Sequence, residues 1–369
     1  MRLPSSMMPR PNNLLTLAVA GSRKTQGLVE ACKEADPAER ILVLTYTRNN
    51  QAELSTRLAA YAGDHPHVDV AGWFSFLLHH FVGPFLPLLY PGARVEGFDF
   101  GSPPQRYAAN ERWQRYFNEH SEARRVHLPQ LAVRTNEAGA GVCIQRLERI
   151  YDRIMIDEVQ DLSGYDLEIL KLLIASGITV EMVGDVRQSI MVTNERELKN
   201  KKYMFMSIWH WFREQEKAGR ITIEYRCETW RCGPEIAAFA DSLFATHWEF
   251  SPTASRNAER TGHDGIFLVA PQDVDAYYDQ FRPLVLRHSR TSGAQYDHLA
   301  PMNIGDAKGL DRQRVLIYPT SPVRKFLTEG ISLDDRQAAR LYVAVTRARF
   351  SVAFIMSPIE DCGIPGWVP

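Results

Sequence analysis

The run Asp157-Glu158-Val159-Gln160-Asp161 closes a short apolar stretch, Ile154-Met155-Ile156, and that junction constrains the fold more than any other part of the chain. So short an apolar run ending in charge reads as a strand buried on both faces, and such strands belong to parallel sheets covered by helices. The same strand-then-turn pattern recurs. Leu14–Ala20 is apolar and runs into Gly21-Ser22-Arg23-Lys24-Thr25 and then a helical stretch. Ile41–Tyr46 precedes an amphipathic helix near residues 50–58, and His67–Ala71 leads into an apolar helix from Trp73. Strands are expected at 153–157 and 178–183 as well. Buried strands alternating with helices predict an α/β fold with parallel sheets and helices on both faces.

A second alternation begins near Ile221. It predicts a helix at about 234–244, a strand at 266–269, a helix after Pro271, a strand at 314–318, a helix ending near Val345 and a closing strand at 352–355. A chain of 369 residues exceeds the usual size of one domain, so two are expected, 1–218 and 219–369. The stretch from about Gly83 to Gly141 carries Pro84, Pro87, Pro91, Pro103 and Pro104, and reads as an insertion of irregular turns and short helices. No internal repeat is visible.

Composition excludes little more. Apolar residues make up 45% and charged residues 24%, with a net charge of −1, which argues against a generally basic binder but leaves room for a locally positive groove. The five cysteines are scattered, and Cys227 and Cys232 lack metal-ligand spacing, so a reducing compartment is expected. No stretch approaches the ~20 apolar residues of a membrane span. The expectation is a cytosolic protein without a membrane partner.

Adjacent carboxylates at the carboxyl end of a buried strand suit nucleoside triphosphate chemistry. One can hold Mg²⁺ while the next orients a water against the terminal phosphate. Upstream, Ala18–Thr25 has the tail of a P-loop: backbone N–H groups of Ala20, Gly21, Ser22 and Arg23 to cradle phosphates, Lys24 to reach the β- and γ-phosphates, Thr25 to ligate Mg²⁺. It departs from the pattern at both outer glycines, where Ala18 and Arg23 stand. Arg23 matters if that position needs positive φ.

With these blocks in order, the chain resembles the UvrD/Rep/PcrA group of superfamily-one helicases. The matching segments are the P-loop, ILVLTYTRNNQAEL, GWFSFL, IMIDEVQD, VGDVRQSI, TWRCGPEIAAFADSLF, GDAKGLDRQRVLIYPT and LYVAVTRAR. The resemblance implies two RecA-like domains binding ATP and Mg²⁺. Asp157 would hold the metal with Thr25, Glu158 would polarise the attacking water, and Gln188 would sense the γ-phosphate. Arg231 and Arg347 would act as arginine fingers, and Trp230 would stack on adenine. Gly309 and Asp311 fall in the block coupling nucleotide state to nucleic acid, where Asp311 replaces the family's usual Glu. Thr45, Tyr46, Thr47, Trp73, Phe74 and Ser75 would line a track for single-stranded DNA.

Taken singly, Trp230 also reads as a core tryptophan, Arg347 as a surface ion-pair residue, and Trp73 with Phe76 as core at helical spacing. The cluster Lys199-Asn200-Lys201-Lys202 is either an extension of the track or a solvated face. The large accessory insertion that the family places in its second domain is missing. The implied activity is 3′ to 5′ translocation or strand separation, with a protein partner such as a nuclease or a repair or defence complex. The competing readings are an ATP-gated binding module with little turnover and a motor on RNA.

Overall fold

The computed structural model describes residues 13–369 apart from 47, 62–65, 104, 106, 196 and 358–361. By its internal contacts the chain divides into two compact units. The first comprises residues up to Leu17, Lys24–Gly184 and Val192–Glu224; the second comprises Ala18–Arg23, Asp185–Met191 and Tyr225–Pro369. The Ala18–Arg23 turn and the Asp185–Met191 segment therefore pack as part of the second unit.

The first unit is built on six strands: β1 (Leu14–Ala18), β2 (Ile41–Thr45), β3 (Val68–Gly72), β4 (Arg153–Ile156), β5 (Thr179–Gly184) and β6 (Thr222–Arg226). Their order across the sheet is 3-2-4-5-1-6. The pairings from β3 through to β1 are parallel. Parallel neighbours need crossovers, and α1 (Lys24–Glu34) and α2 (Arg48–Tyr61) supply two of them. Leu28, Val29 and Cys32 of α1 join Leu54 and Leu58 of α2 over Ile41, Val43, Met155 and Val183, which makes one face of the core. All five residues of β2 are buried, as its unbroken apolar run requires.

The stretch read as an irregular insertion holds more order than expected. Gly97–Asp99 pairs with Glu122–Arg124, and α3 (Leu128–Ala138) is a regular helix with eight buried residues. Leu128, Leu131, Ala132 and Thr135 have helical spacing, and Pro129 sits in the first turn, where its missing N–H is harmless. The density of prolines just upstream masks that period in the sequence. Next, α4 (Asp166–Ile174) crosses from β4 to β5 with Leu167, Ile169, Leu170, Leu173 and Ile174 buried.

The second unit has its own six-stranded sheet: β7 (Gly265–Val269), β8 (Leu284–Arg287), β9 (Met302–Asn303), β10 (Arg312–Ile317), β11 (Ala348–Ile355) and β12 (Gly366–Trp367). All its pairings are parallel. The order is 9-8-10-11-7-12, which, counted from its own first strand, is again 3-2-4-5-1-6. The topology thus repeats although no sequence repeat is visible, because a sheet order needs only apolar runs at comparable spacing. One expectation is corrected: the strand ending at Ile355 does not close the fold, since Gly366–Trp367 adds an edge beyond β7. Helices α5 (Pro234–Ser242), α6 (Val274–Phe281), α7 (Ser321–Glu329) and α8 (Asp335–Val345) complete the α/β arrangement. A capping box starts α8: Asp334 accepts from the Gln337 N–H at 2.8 Å, and the Gln337 side chain accepts from the Asp334 N–H at 3.3 Å.

Among the described residues no helix is long and apolar enough to cross a membrane.

Candidate nucleotide and nucleic-acid sites

In the first unit, β4 delivers Asp157 and Glu158 to its carboxyl end. Asp157 is 4% exposed, and its N–H still donates to Leu44 at 2.9 Å, so the sheet ladder holds it. Its carboxylate accepts the Glu158 N–H at 2.9 Å. Glu158 adopts φ +54°, a left-handed conformation costing roughly 1–2 kcal/mol in a residue with a Cβ. The Gln160 amide donates to the Glu158 carboxylate, and the same side chain packs on Gly184, where any Cβ would collide with it. The strained backbone and that amide together orient the Glu158 carboxylate. Lys24 and Thr25 open α1, whose first turn has no acidic residue. The first N–H groups of a helix have no intrahelical acceptor, so this terminus is suited to an anion.

The second unit holds the loop tip Ala18–Arg23 by backbone. Val19 N–H donates to Arg226 at 3.0 Å, Trp230 N–H to Gly21 at 2.9 Å, and the Thr229 hydroxyl to the Ala20 carbonyl at 2.7 Å. Gly21 lies at φ +75°, and a Cβ there would meet the Arg231 Cβ and the Thr229 hydroxyl at 2.6 Å each. Only glycine fits. Arg23 also lies at positive φ, +62°, so the loop does use the conformation that glycine would supply freely. Its guanidinium sits 4.2 Å from the ring centroid of Trp230, which is 47% exposed. The Ser22 hydroxyl is buried with no hydrogen-bond partner.

From this loop a chain of buried hydrogen bonds runs inward. Ala20 N–H donates to the Tyr342 hydroxyl at 3.1 Å, and that hydroxyl donates to Asp185 at 3.0 Å. Asp185 also accepts the Gln188 amide at 2.8 Å, and the Gln188 carbonyl accepts from Arg347 at 3.2 Å. Arg347 is 1% exposed and further donates to the carbonyls of Val343 at 2.9 Å and Leu310 at 3.2 Å. Burial pushes the Tyr342 hydroxyl well above its ordinary range, with Asp185 adding to the shift against the opposing Arg187 charge, so it remains a proton donor. Arg187 lies 4.8 Å from the Tyr342 ring centroid and donates to Asp241 at 2.7 Å.

Arg231 donates to the Thr346 carbonyl at 3.0 Å and lies 3.6 Å from Asp311. Arg349 grips Asp311 with two bonds, at 2.8 and 2.9 Å. Burial works to raise the Asp311 pKa, but Arg349 and Arg231 outweigh it and hold the carboxyl below its ordinary range. Asp311, expected to bind nucleotide, is here the partner of two arginines. Gly309 is at φ +89° in open space.

The expected nucleic-acid residues separate into buried and reachable ones. Thr45 and Trp73 are each 1% exposed, and the Trp73 indole N–H donates to the buried Asp166 at 2.6 Å. In this arrangement the enclosed Trp73 ring presents no open face to a base, and Thr45 closes β2. Phe74 is 7% exposed, and Tyr46 and Ser75 are half-buried. Thr47 lies outside the described residues. Around Phe74 the fold gathers the expected Tyr46 and two side chains that sequence reading missed. Tyr46 lies 5.7 Å from its ring, Phe100 packs edge-on at 6.3 Å, and the Arg125 guanidinium sits 5.8 Å away. Phe100 is 48% exposed, and the Arg125 Nε is buried without a partner. A small cleft beside them is lined by Gln130, Tyr165 and Asn194. No local signal marks Phe100 or Arg125, which come from the proline-rich stretch. In the lysine cluster, Lys199 and Lys202 lie 3.9 Å from Glu168 and Glu214, as expected of a solvated face.

Residues 96–193 match the family model of the UvrD/REP helicase N-terminal domain. That span takes in Asp157 and Glu158, and it begins inside the stretch read as an insertion. No curated protein matches the sequence. Two solved structures of arterivirus nonstructural protein 10, a helicase, are similar, one of them in complex with DNA. They share 15% and 16% identity, each with a TM-score of 0.45, over 95% of this chain and 61% and 62% of theirs. The chain thus spans about three-fifths of their length.

Proposed function

We propose that this chain is an ATP-driven motor of the UvrD/REP kind, acting on single-stranded DNA, with residues 1–218 and 219–369 as its two domains. The observation that carries the reading is the acid pair at the end of β4, its second carboxylate held by left-handed backbone and by Gln160. Structural carboxylates seldom need such strain, whereas functional ones do. Thr25 and Asp157 are hard oxygen donors that suit Mg²⁺, and the partnerless hydroxyl of Ser22, two residues before α1 in the chain, suits a phosphate oxygen. Bound there, Mg²⁺ would neutralise phosphate charge.

The chain's own groups then divide the work. Lys24 and the backbone from Ala20 to Arg23 hold the triphosphate, with Gly309 lining the nucleotide site. Glu158 accepts a hydrogen bond from the attacking water and aligns it. Gln188 reads the terminal phosphate through the bond it shares with Arg347, and Arg231 and Arg347 stabilise the charge that develops there. Trp230 seats the nucleobase. Tyr46, Phe74, Ser75 and Phe100 carry bases by stacking and contact, and Arg125 holds a phosphate. By resemblance the direction is 3′ to 5′, and a nuclease or a repair or defence complex is the expected partner.

A second reading is favoured by one observation. In this structure all three guanidinium nitrogens of Arg347 face protein acceptors, which fits an ATP-gated binding module with little turnover. Steady-state ATP hydrolysis with and without single-stranded DNA, beside Glu158→Gln, separates the two. DNA-stimulated turnover that vanishes in the variant supports the motor. ATP binding without turnover in either protein supports the module, and stronger stimulation by single-stranded RNA would reassign the substrate.

A further inference from the structure

Arg23 is the residue that departs from the phosphate-loop pattern, and the proposed chemistry does not explain it. Its backbone is held at φ +62°, where glycine would sit without strain. Such a residue persists only if its side chain returns something. Here the side chain lies over an aromatic face: the guanidinium is 4.2 Å from the Trp230 ring centroid.

That placement is set by backbone. Trp230 N–H is bonded to the Gly21 carbonyl, and the hydroxyl of Thr229, the residue before Trp230, is bonded to the Ala20 carbonyl. The loop is thus tied, two and three residues before Arg23, to Trp230 itself and to the residue before it. A planar guanidinium over an indole face is an attractive pairing, and an arginine stacks there better than a lysine does. At 4.2 Å no second flat group fits between them. Trp230 is nonetheless 47% exposed, so a flat group from solution can reach the ring once the arginine leaves.

We propose that Arg23 is a latch on the nucleobase seat: its guanidinium covers the Trp230 face on which a base stacks, so a base-bearing nucleotide must displace it and a bare polyphosphate need not. The latch rests on the reading above that Trp230 seats the base. It makes Arg23 a specificity-setting residue, because the arginine taxes every base equally, and only bases that stack strongly enough overcome it. Removing the cation also weakens phosphate attraction, but that loss falls alike on ATP and on inorganic tripolyphosphate. The ratio of the two affinities therefore isolates the latch.

The test is calorimetric titration of the full chain with Mg·ATP and with Mg·tripolyphosphate, on a Glu158→Gln background so that ligand is not consumed. Arg23→Gly should raise the preference for ATP over tripolyphosphate about fivefold, the order of one exposed cation–π contact. Arg23→Lys, which keeps the charge and the non-glycine backbone but loses the planar stack, should raise it in the same direction by less. Trp230→Ala should abolish the preference. An unchanged ratio in both Arg23 variants, or a rise confined to the glycine variant, overturns the latch, the latter by assigning the effect to backbone strain. A preference that survives Trp230→Ala overturns the seat, and the latch with it. Failure of the parent to bind either ligand sinks the nucleotide reading as a whole, a pattern distinct from both.

Discussion

The two sheets have the same strand order and the same parallel sense, yet their strands end in different chemistry. After β1 comes the loop Gly21-Ser22-Arg23 and the open start of α1; after its counterpart β7 comes Ala270-Pro271-Gln272-Asp273, with no glycine to turn tightly. After β4 come Asp157 and Glu158; after its counterpart β10 come Tyr318, Pro319 and Thr320. There the second unit has a cavity of about 230 Å³ lined by Ile304, Ile317, Tyr318 and Pro319. In the first unit the carboxylates stand at a strand end, while the second unit buries Arg187 and Arg347 among hydrogen-bond acceptors. One sheet order therefore carries two sets of strand-end residues, because carboxyl ends of parallel strands are where side chains can be changed without disturbing the sheet.

The largest expected effect tests whether catalysis follows the acid pair rather than the scaffold. Glu158→Gln should lower ATP turnover about a thousandfold and leave the melting temperature unchanged, whereas Thr320→Ala, near the equivalent strand end, should leave turnover alone. Equal losses in both would break the contrast.

Arg347→Ala sharpens the same comparison from the other side. It strips hydrogen bonds from the carbonyls of Val343 and Leu310 and from Gln188, all in a buried setting. Stability should fall by about 4 kcal/mol, read by urea unfolding. A variant as stable as the parent would mean that the buried network contributes nothing.

The first unit has a buried charge problem of its own. Burial holds the Asp166 pKa at about 6, against opposing hydrogen bonds from Thr193, Trp73 and the Ser163 backbone. Its contribution to stability is complete below the ordinary carboxyl pKa and is lost as pH rises through about 6. Asp166→Asn should remove that slope and gain about 3 kcal/mol over the parent between pH 4 and pH 7. Parallel stability–pH curves for the two proteins would refute the assignment.

The smallest effect concerns Phe100. Phe100→Ala should weaken single-stranded DNA binding about fivefold by anisotropy, roughly 1 kcal/mol of base stacking, without a change in ATP affinity. The same loss from an alanine at Phe98 would show a general effect of the segment and not a stacking site.

Much of this was legible in residues 14–58 and 153–188, where an apolar run, a turn and a helix follow one another at close spacing. The same logic failed between Gly83 and Gly141, where prolines masked the helix at Leu128–Ala138. Nor did it choose between the two readings of Trp73, since an aromatic at the start of a helix reads alike whether it faces a base or a buried carboxylate.

Local order alone marked β1 to β5, β7, β10 and β11, the turn Gly21-Ser22-Arg23-Lys24-Thr25 and the acid pair, because each depends on neighbours within a few residues of chain. Which strand lies beside which, that Arg23 covers Trp230, that Tyr342 joins Ala20 to Asp185, and that Phe100 reaches Phe74 were decided only by the tertiary structure. Those contacts bridge 26 to 322 residues of sequence. No local propensity records a meeting that exists only once the sheets have formed.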